Sequence, residues 1–377
     1  MKVLRLRAEG FRNLEKVVFC PAEGVNIIWG ENAQGKTNLL EAIWIFSGAK
    51  SFRGAKEADY IPFGGGVTRL ELDFFAEGRE QTAALIFSPE GRRVLLNEIK
   101  QERPSALAGA LRAVVFSPDH LELVKQGPKE RRRLLDISLC QAYPKYGKVL
   151  EGFEKILKQR AVLLRDAATC PQLLEMLEVW DEGLCEYGGY ITWMRARYIH
   201  KLAGFAAEAY RGISGGRERF SARYTAACGE IHPELERGEV TEILRAAVEE
   251  SRREDIRYGR TNIGPHRDDI EILVGEKSAK AFGSQGQQRS CVLALKLAEC
   301  RLLEEGVGEP PIVLLDDVMS ELDEGRRKYL LSQLKGKQVL ITCCDPEGIQ
   351  PPEGGKVVSI DNGQLTIDNE GIASRSI

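Results

Sequence analysis

No stretch of this chain is apolar for long enough to cross a bilayer, so a membrane-embedded protein is not expected. The opening MKVLRLRAEGFRN is too short and too interrupted by charge to serve as a secretory leader. A strong charge of one sign is also missing: 53 basic residues face 56 acidic ones, for a net charge of -3. Wholesale electrostatic attraction to nucleic acid is thereby excluded, and any such binding must come from local patches. Histidine is scarce; His120, His200, His232 and His266 show no metal-ligand spacing. The nine cysteines are odd in number and scattered without a repeated CxxC. Cys343 and Cys344 are adjacent, a poor arrangement for a structural bridge. A reduced, cytoplasmic protein is expected. No heptad repeat lasts long enough for a large coiled coil.

What the chain does contain is enough apolar material for real cores, 43% of its 377 residues, beneath a surface supplied by 29% charged residues. That length favours two packed regions over one. Leu4 and Leu6 alternate with Arg5 and Arg7, and Val25 to Trp29 forms an apolar run; both read as strands. Residues 67–100 alternate through VTRLELDFF, QTAALIF and RRVLLNE between glycine-containing turns, which predicts an antiparallel meander. Helical spacing follows, first through Val149, Phe153, Ile156, Ala161 and Leu164, then through Ile191, Met194, Tyr198, Leu202, Phe205 and Ala209. GISGGRERF at 212–220 marks a loop, and 242–254 a charged helix. Strand character returns at 270–274. Residues 285–305 read as a helix with Val292, Leu295, Ala298 and Leu302 on one face, and 311–315 and 339–342 as buried strands. The parse is an α/β head in two segments, 1–115 and 256–377, interrupted by a helical lobe at 116–255.

The head carries a phosphate-binding loop. GENAQGKT, Gly30 to Thr37, follows an apolar strand and precedes the helical NLLEAIWIF. Gly30 and Gly35 permit the tight backbone that aims the intervening amides of Glu31, Asn32, Ala33 and Gln34 at phosphate. Lys36 can meet the β and γ phosphates, Thr37 offers a hydroxyl to Mg²⁺, and the helix opening at Asn38 adds its positive end. Far downstream, Ile312 to Leu315 runs into Asp316 and Asp317. Asp316 suits Mg²⁺, directly or through water. Asp317 suits orienting or deprotonating an attacking water, and its short reach predicts slow hydrolysis. Thirty-two residues before Asp316 stands SQGQQR. Ser284 supplies a hydroxyl, Gly286 close backbone approach, and Gln287 belongs to the helix start. The segment fits either a γ-phosphate contact or an ordinary helix N-cap.

Together these motifs resemble the heads of ABC-type ATPases, particularly the chromosome-maintenance and DNA-repair branch, and most closely its RecF family. FRNLE at 11–15, GENAQGKTNLLEAI at 30–43 and SFR at 51–53 carry the resemblance. So do FSPDHLELVKQGPKERRRLLD at 116–136, GPHRDD at 264–269, SQGQQRS at 284–290 and LLDDVMSELD at 314–323. The resemblance implies an ABC-type P-loop ATPase head with an antiparallel β subdomain and an inserted helical lobe. It implies that Ser284 acts across an ATP-bound homodimer, that Asp323 lies beside the dimer seam, and that Arg12 contacts nucleotide. Thr342 takes the switch position where the wider superfamily has histidine. It further implies weak, DNA-stimulated ATP hydrolysis and binding to duplex DNA near gaps or duplex–single-strand junctions. The implied partners are RecO and RecR, with RecA loaded indirectly, in DNA repair, replication and the SOS response.

Two basic clusters could neutralise DNA phosphates: Lys129–Arg133, and Arg252, Arg253, Arg257, Arg260 and Arg267. A solvated charged helix explains the first equally well, and nearby acids weaken both as net-positive patches. Other classes stay open: a nuclease-coupled ATPase subunit, a transporter-energising subunit, or a nonenzymatic ATP-gated scaffold.

Overall fold

The computed structural model describes residues 1–62, 66–345 and 354–367. The chain forms two compact units, Met1–His120 with Glu299–Ile377, and Leu121–Ala298. The first opens with β1 (Lys2–Phe11), β2 (Leu14–Phe19), β3 (Val25–Trp29) and α1 (Lys36–Trp44). Then come β4 (Thr68–Ala76), β5 (Arg79–Ser88), β6 (Gly91–Leu96), β7 (Ile99–Gln101) and β8 (Ala113–Phe116). The expected meander is present, extended by the β1–β2 hairpin into an antiparallel sheet ordered β2-β1-β4-β5-β6-β7. Alternation explains its two faces. Leu6 and Ala8 are buried, while Arg5 and Arg7 pair with their cross-strand partners Asp73 and Glu71 at 2.6 and 3.0 Å.

The second unit contains α2 (Glu122–Lys125), α3 (Pro128–Ala142), α4 (Pro144–Asp166) and α5 (Leu177–Ser214). β9 (Phe220–Thr225), α6 (Arg237–Tyr258), β10 (Asp269–Val274), β11 (Lys277–Ser278) and α7 (Ala279–Phe282) follow. Proline in the first turn starts both α3 and α4, where its missing N–H costs nothing. α5 runs three residues into the predicted loop before Gly215, at φ +64°, ends it in the left-handed conformation. α8 (Gln285–Val307) begins in this unit and ends in the other.

The first unit resumes with β12 (Ile312–Asp316), α9 (Glu324–Gln333), β13 (Val339–Cys343), β14 (Lys356–Asp361) and β15 (Gln364–Ile367). They join β3 and β8 in a sheet ordered β15-β14-β3-β13-β12-β8, parallel throughout except for β15. β12 and β13 are buried at every residue, as their unbroken apolar runs require. α1 touches β1 of the antiparallel sheet and β12 and β13 of the parallel one. That position explains why Leu39 to Trp44 are all buried.

Three expectations need correction. The boundary read at 255/256 falls at 298/299 instead, and the one read at 115/116 falls at 120/121. The reason is pairing: β10 lies antiparallel against β9, tying the later segment to the helical unit. α8 does not bury a single stripe either. Leu293 to Cys300 are buried without interruption, whereas Val292 and Leu302 are only partly covered. Finally, Lys129–Arg133 is no open basic patch. Arg131 is buried, holding Asp269 through both carboxylate oxygens at 2.6 and 2.9 Å and the carbonyls of Leu123 and Gln126. Arg132 donates to the Asp268 carbonyl, and Arg133 lies 3.5 Å from Glu130.

GPHRDD is therefore a structural knot of the helical unit. Asp268 accepts from the Ala227 amide and the Tyr224 hydroxyl. His266 lies against Phe153, its Nε2 3.1 Å from the Thr261 carbonyl, and its Nδ1 is buried without a hydrogen-bond partner. Burial pulls its pKa from 6.5 down to about 4, and Arg267 and Arg132 reinforce the shift. The native state thus prefers neutral imidazole. This preference stabilises the fold fully above pH 6.5 and fades as pH falls toward 4. The gap is on the order of 3 kcal/mol. In His266→Gln, whose amide can still donate to Thr261, melting of the helical unit should lose most of its pH dependence between 6.5 and 4. An unchanged pH profile would exclude His266 as the source.

Candidate nucleotide-binding site

β3, β13 and β12 are neighbours in the parallel sheet, and each ends in a residue group that chemistry can use. Past β3 comes the loop Gly30–Gly35; β13 ends near Thr342; β12 ends at Asp316, directly opposite Thr342 in register. Sequence separation of nearly 280 residues disappears at the carboxyl edge of one sheet, where α/β folds place their ligands.

The loop needs its glycines. Gly30 sits at φ +157°, and a Cβ there would meet the Ile360 carbonyl oxygen at 2.3 Å. Gly35 sits at φ +110°, with Asn13 Oδ1 2.9 Å from the corresponding position. The β14–β15 turn braces the loop from outside: Asn362 N–H donates to Gln34 Oε1 at 2.6 Å and Gly363 N–H to the Gln34 carbonyl at 2.9 Å. Lys36 is buried at the loop's centre, with Nζ 2.7 Å from the Glu31 carbonyl and also bonded to that of Gly30. Cys344 Sγ stands 3.6 Å from the same nitrogen and 3.1 Å from Asn32 Oδ1.

Thr37 and Asp316 meet. The Thr37 hydroxyl donates to Asp316 Oδ1 at 2.8 Å, and Thr342 donates to the same oxygen at 2.9 Å. Burial raises the pKa of Asp316, and the two hydroxyls work against that rise. Thr342 is fully buried and also accepts the Asp317 N–H at 3.0 Å. Its hydroxyl thus links both acids. Asp317 adopts φ +53°, and Ser320 donates to its carboxylate at 3.2 Å.

Around these residues lies a cavity of about 380 Å³ lined by Arg12, Asn13, Asn32 to Asn38, Arg53, Asp316, Asp317 and Thr342. Arg12 pairs with fully buried Glu41 at 2.6 Å, and its guanidinium lies 5.9 Å from the Tyr60 ring centre. Among the expected loop residues, Glu31 is exposed and contributes only its carbonyl to this arrangement. Two lining residues received no role from the sequence. Asn13 accepts from Asn38 at 2.7 Å, and Arg53 donates to Asn38 at 3.1 Å. Both stood in quoted motifs, FRN and SFR, but nothing in a lone asparagine or arginine reveals which cavity it borders. A larger open groove of about 800 Å³, bordered by Arg5, Asp73 and Glu80, lies on the antiparallel sheet and holds no phosphate-binding element.

The remaining site residues lie elsewhere. Asp323 caps α9, accepting the Arg326 N–H at 2.9 Å, and does not line the cavity. Ser284, Gly286 and Gln287 belong to the helical unit. Ser284 and Gln287 form a reciprocal cap at the start of α8: the Ser284 N–H donates to Gln287 Oε1 at 2.8 Å, and the Gln287 N–H to Ser284 Oγ at 3.2 Å. Gln287 also donates to Glu218 at 2.7 Å. The N-cap left open by the sequence is real, and Ser284 is exposed at its tip.

The chain matches the RecF/RecN/SMC N-terminal domain model over residues 2–362. It is 36% identical to the DNA replication and repair protein RecF of Ruminiclostridium cellulolyticum, covering 92% of this chain and 94% of that one. The RecF of Bacillus cereus is also 36% identical, across 98% and 99%. A solved structure described as the recombination mediator protein RecF with ATP in the RecFOR pathway superposes with a TM-score of 0.90. It is 34% identical and covers 97% of each chain. The Smc head of Pyrococcus furiosus, at 19% identity and a TM-score of 0.55, shares the fold over 97% of this chain and 96% of its own. An ABC-type α/β head with these motifs in this order, matched along nearly its whole length, belongs to the RecF/RecN/SMC N-terminal domain family and, within it, to the RecF proteins.

Proposed function

We propose that this chain is an ATP-dependent recombination mediator of the RecFOR type. In this reading it dimerises on ATP, binds duplex DNA near gaps or junctions, and hydrolyses ATP slowly to reset the complex. The observation that carries the reading is the meeting of Thr37 and Asp316, 2.8 Å apart, beside the Lys36 loop. Their hydroxyl and carboxylate are hard oxygen donors suited to Mg²⁺, which the two would hold together. When bound, the ion neutralises charge on the phosphates. The loop amides cradle the phosphates and Lys36 adds positive charge. Asp317 orients the attacking water. Thr342 serves by fixing both acids, and Arg12 and Asn13 border the nucleotide. Ser284 and Gly286, on the exposed start of α8, reach the nucleotide of a second copy, with Asp323 beside the seam.

Exposed Arg253, Arg257, Arg260 and Arg267 remain candidates for duplex phosphates; Arg252 is drawn to Asp181 at 2.8 Å. RecR and RecO are the partners we assign, with RecA reached through them, in the cytoplasm. Among the described residues no helix is long and apolar enough to cross a membrane.

Lys36→Ala should weaken ATP binding by at least about tenfold. Ser284→Gly is the sharper test, because glycine replaces serine at an N-cap at a cost of only a few tenths of a kcal/mol. Helix α8 should therefore survive while the hydroxyl is lost. ATP affinity of the single chain should stay within about twofold, while dimerisation and turnover fall at least about tenfold. Full dimerisation and turnover in Ser284→Gly would remove the cross-dimer role.

A further inference from the structure

Glu41 places a charge within the apolar run Leu39 to Trp44 of α1, and it is fully buried. An unpaired carboxylate in that position would be held far from its solvation preference. Arg12 compensates it: Nε lies 2.6 Å from Oε2, and Nη2 donates to Oε1 at 3.1 Å. The Ser51 hydroxyl, itself buried, donates to Oε1 as well. A buried ion pair is a poor source of stability, since apolar side chains of similar volume often pack in its place at equal or lower free energy. Stability therefore does not account for a charge at Glu41, and its partners point to another role.

Both partners lead to the nucleotide cavity. Arg12 lines it directly. Ser51 Oγ accepts the Arg53 N–H at 3.1 Å, and Arg53 also lines the cavity, donating through Nη1 to Asn38 Oδ1 at 3.1 Å. Asn38 in turn donates to Asn13 Oδ1 at 2.7 Å. Asn13, next to Arg12 in the chain, donates to the Ala33 carbonyl of the phosphate loop at 3.3 Å. The circuit closes from Glu41 through Arg12, Asn13, Asn38, Arg53 and Ser51 back to Glu41. Its backbone is fixed too. Arg12 sits at φ +57° with its N–H on the Tyr60 carbonyl at 3.2 Å, and the Tyr60 hydroxyl accepts the Ser51 N–H at 3.3 Å. Arg53 stands close enough to Asp316 to favour its ionised form, against the burial that raises its pKa. A guanidinium carries five N–H groups in a rigid fork, so a carboxylate fixed on its Nε side fixes where the others point.

We propose that Glu41 is a positioning residue for ATP binding: it holds Arg12 directly, and Arg53 through Ser51, so that both cations face the phosphates of the bound nucleotide. The inference rests on the nucleotide reading of this cavity and deepens it. Glu41 is buried behind the cavity wall and does not line the cavity itself. It acts on affinity by keeping two arginines in place before ATP arrives, which lowers the ordering cost of binding.

The test is steady-state ATPase kinetics of the full chain with Mg²⁺, together with equilibrium binding of MgATP and thermal melting as the check on folding. Glu41→Gln keeps the size of the side chain and an oxygen for Ser51 but removes the charge. Its KM and its Kd for MgATP should rise about tenfold while kcat at saturation stays within about threefold, the pattern of lost ground-state binding. Arg12→Ala should give a similar rise, and the double variant should match Arg12→Ala within about twofold, because the two act along one path. Ser51→Ala breaks only the Arg53 arm and should raise KM about threefold. Glu41→Asp keeps the buried charge but draws it back from Arg12. It should also raise KM about threefold, and it serves if the glutamine variant does not fold. A wild-type KM in folded Glu41→Gln or Glu41→Asp overturns the proposal, as do effects that multiply in the double variant. Lys36→Ala separates the two readings. If it loses MgATP binding while Glu41→Gln binds as wild type does, the site stands and the positioning role falls. If Lys36→Ala binds as wild type does, both fall.

Discussion

Asp316→Asn should cut ATP hydrolysis by at least about a hundredfold, yet leave the nucleotide-free protein as stable as before or raise its Tm by about 2 °C. The two halves of this result have one cause. Asp316 is 6% exposed, and its burial raises its pKa, so the ionised carboxylate is held against its own solvation preference. Asparagine keeps the Oδ1 that accepts from Thr37 and Thr342 and removes the buried charge. What it lacks is the negative charge that would hold a divalent cation firmly beside the Thr37 hydroxyl. Turnover assays paired with thermal melts separate the effects. A variant that hydrolyses ATP normally would show that Asp316 is not the metal ligand. A variant that loses activity only because it unfolds would show that the carboxylate is a structural necessity.

Arg160→Ala should lower the melting temperature of the helical unit by about 6–12 °C, corresponding to roughly 3 kcal/mol. Arg160 is fully buried on α4. Its guanidinium meets Asp181 of α5 and Asp255 of α6, each at 2.7 Å, and the Thr261 hydroxyl at the same distance. Removing the one cation shared by three helices leaves two carboxylates without their central partner. The loss falls at the low end of the range for broken buried pairs because each acid keeps other contacts. Asp181 retains Arg252, and Asp255 retains Ser251 and two bonds from Asn262. Differential scanning calorimetry would measure the shift, and a change under about 2 °C would mean that these partners suffice.

The sequence reveals most of what depends on local spacing. Apolar alternation located the meander, helical stripes located α4 and α5, and an unbroken apolar run ending in acids located β12. The loop Gly30–Thr37 announced its chemistry because only particular residues permit that backbone beside phosphate. Long-range pairing was harder to see. No local pattern shows that β10 pairs with β9, which is why the second boundary moved from 255 to 298. Arg131 to Arg133 looked like surface charge because a sequence does not show that Asp269 waits 138 residues away. The resemblance gave Thr342 a switch position, but a sequence does not show that its hydroxyl bonds to both Asp316 and Asp317. Asn13 and Arg53 entered the cavity unannounced because the fold of α1 brings FRN and SFR to one edge.

The central claim is that ATP held between the Lys36 loop and Asp316 joins two copies through Ser284. Light scattering of Asp317→Asn, in which turnover is blocked, tests it directly with ATP and Mg²⁺, with ADP, and without nucleotide. The account predicts a mass near twice that of the 42.0 kDa chain with ATP alone, and a monomer in the other two conditions. A monomer in all three, or a dimer indifferent to nucleotide, would contradict it.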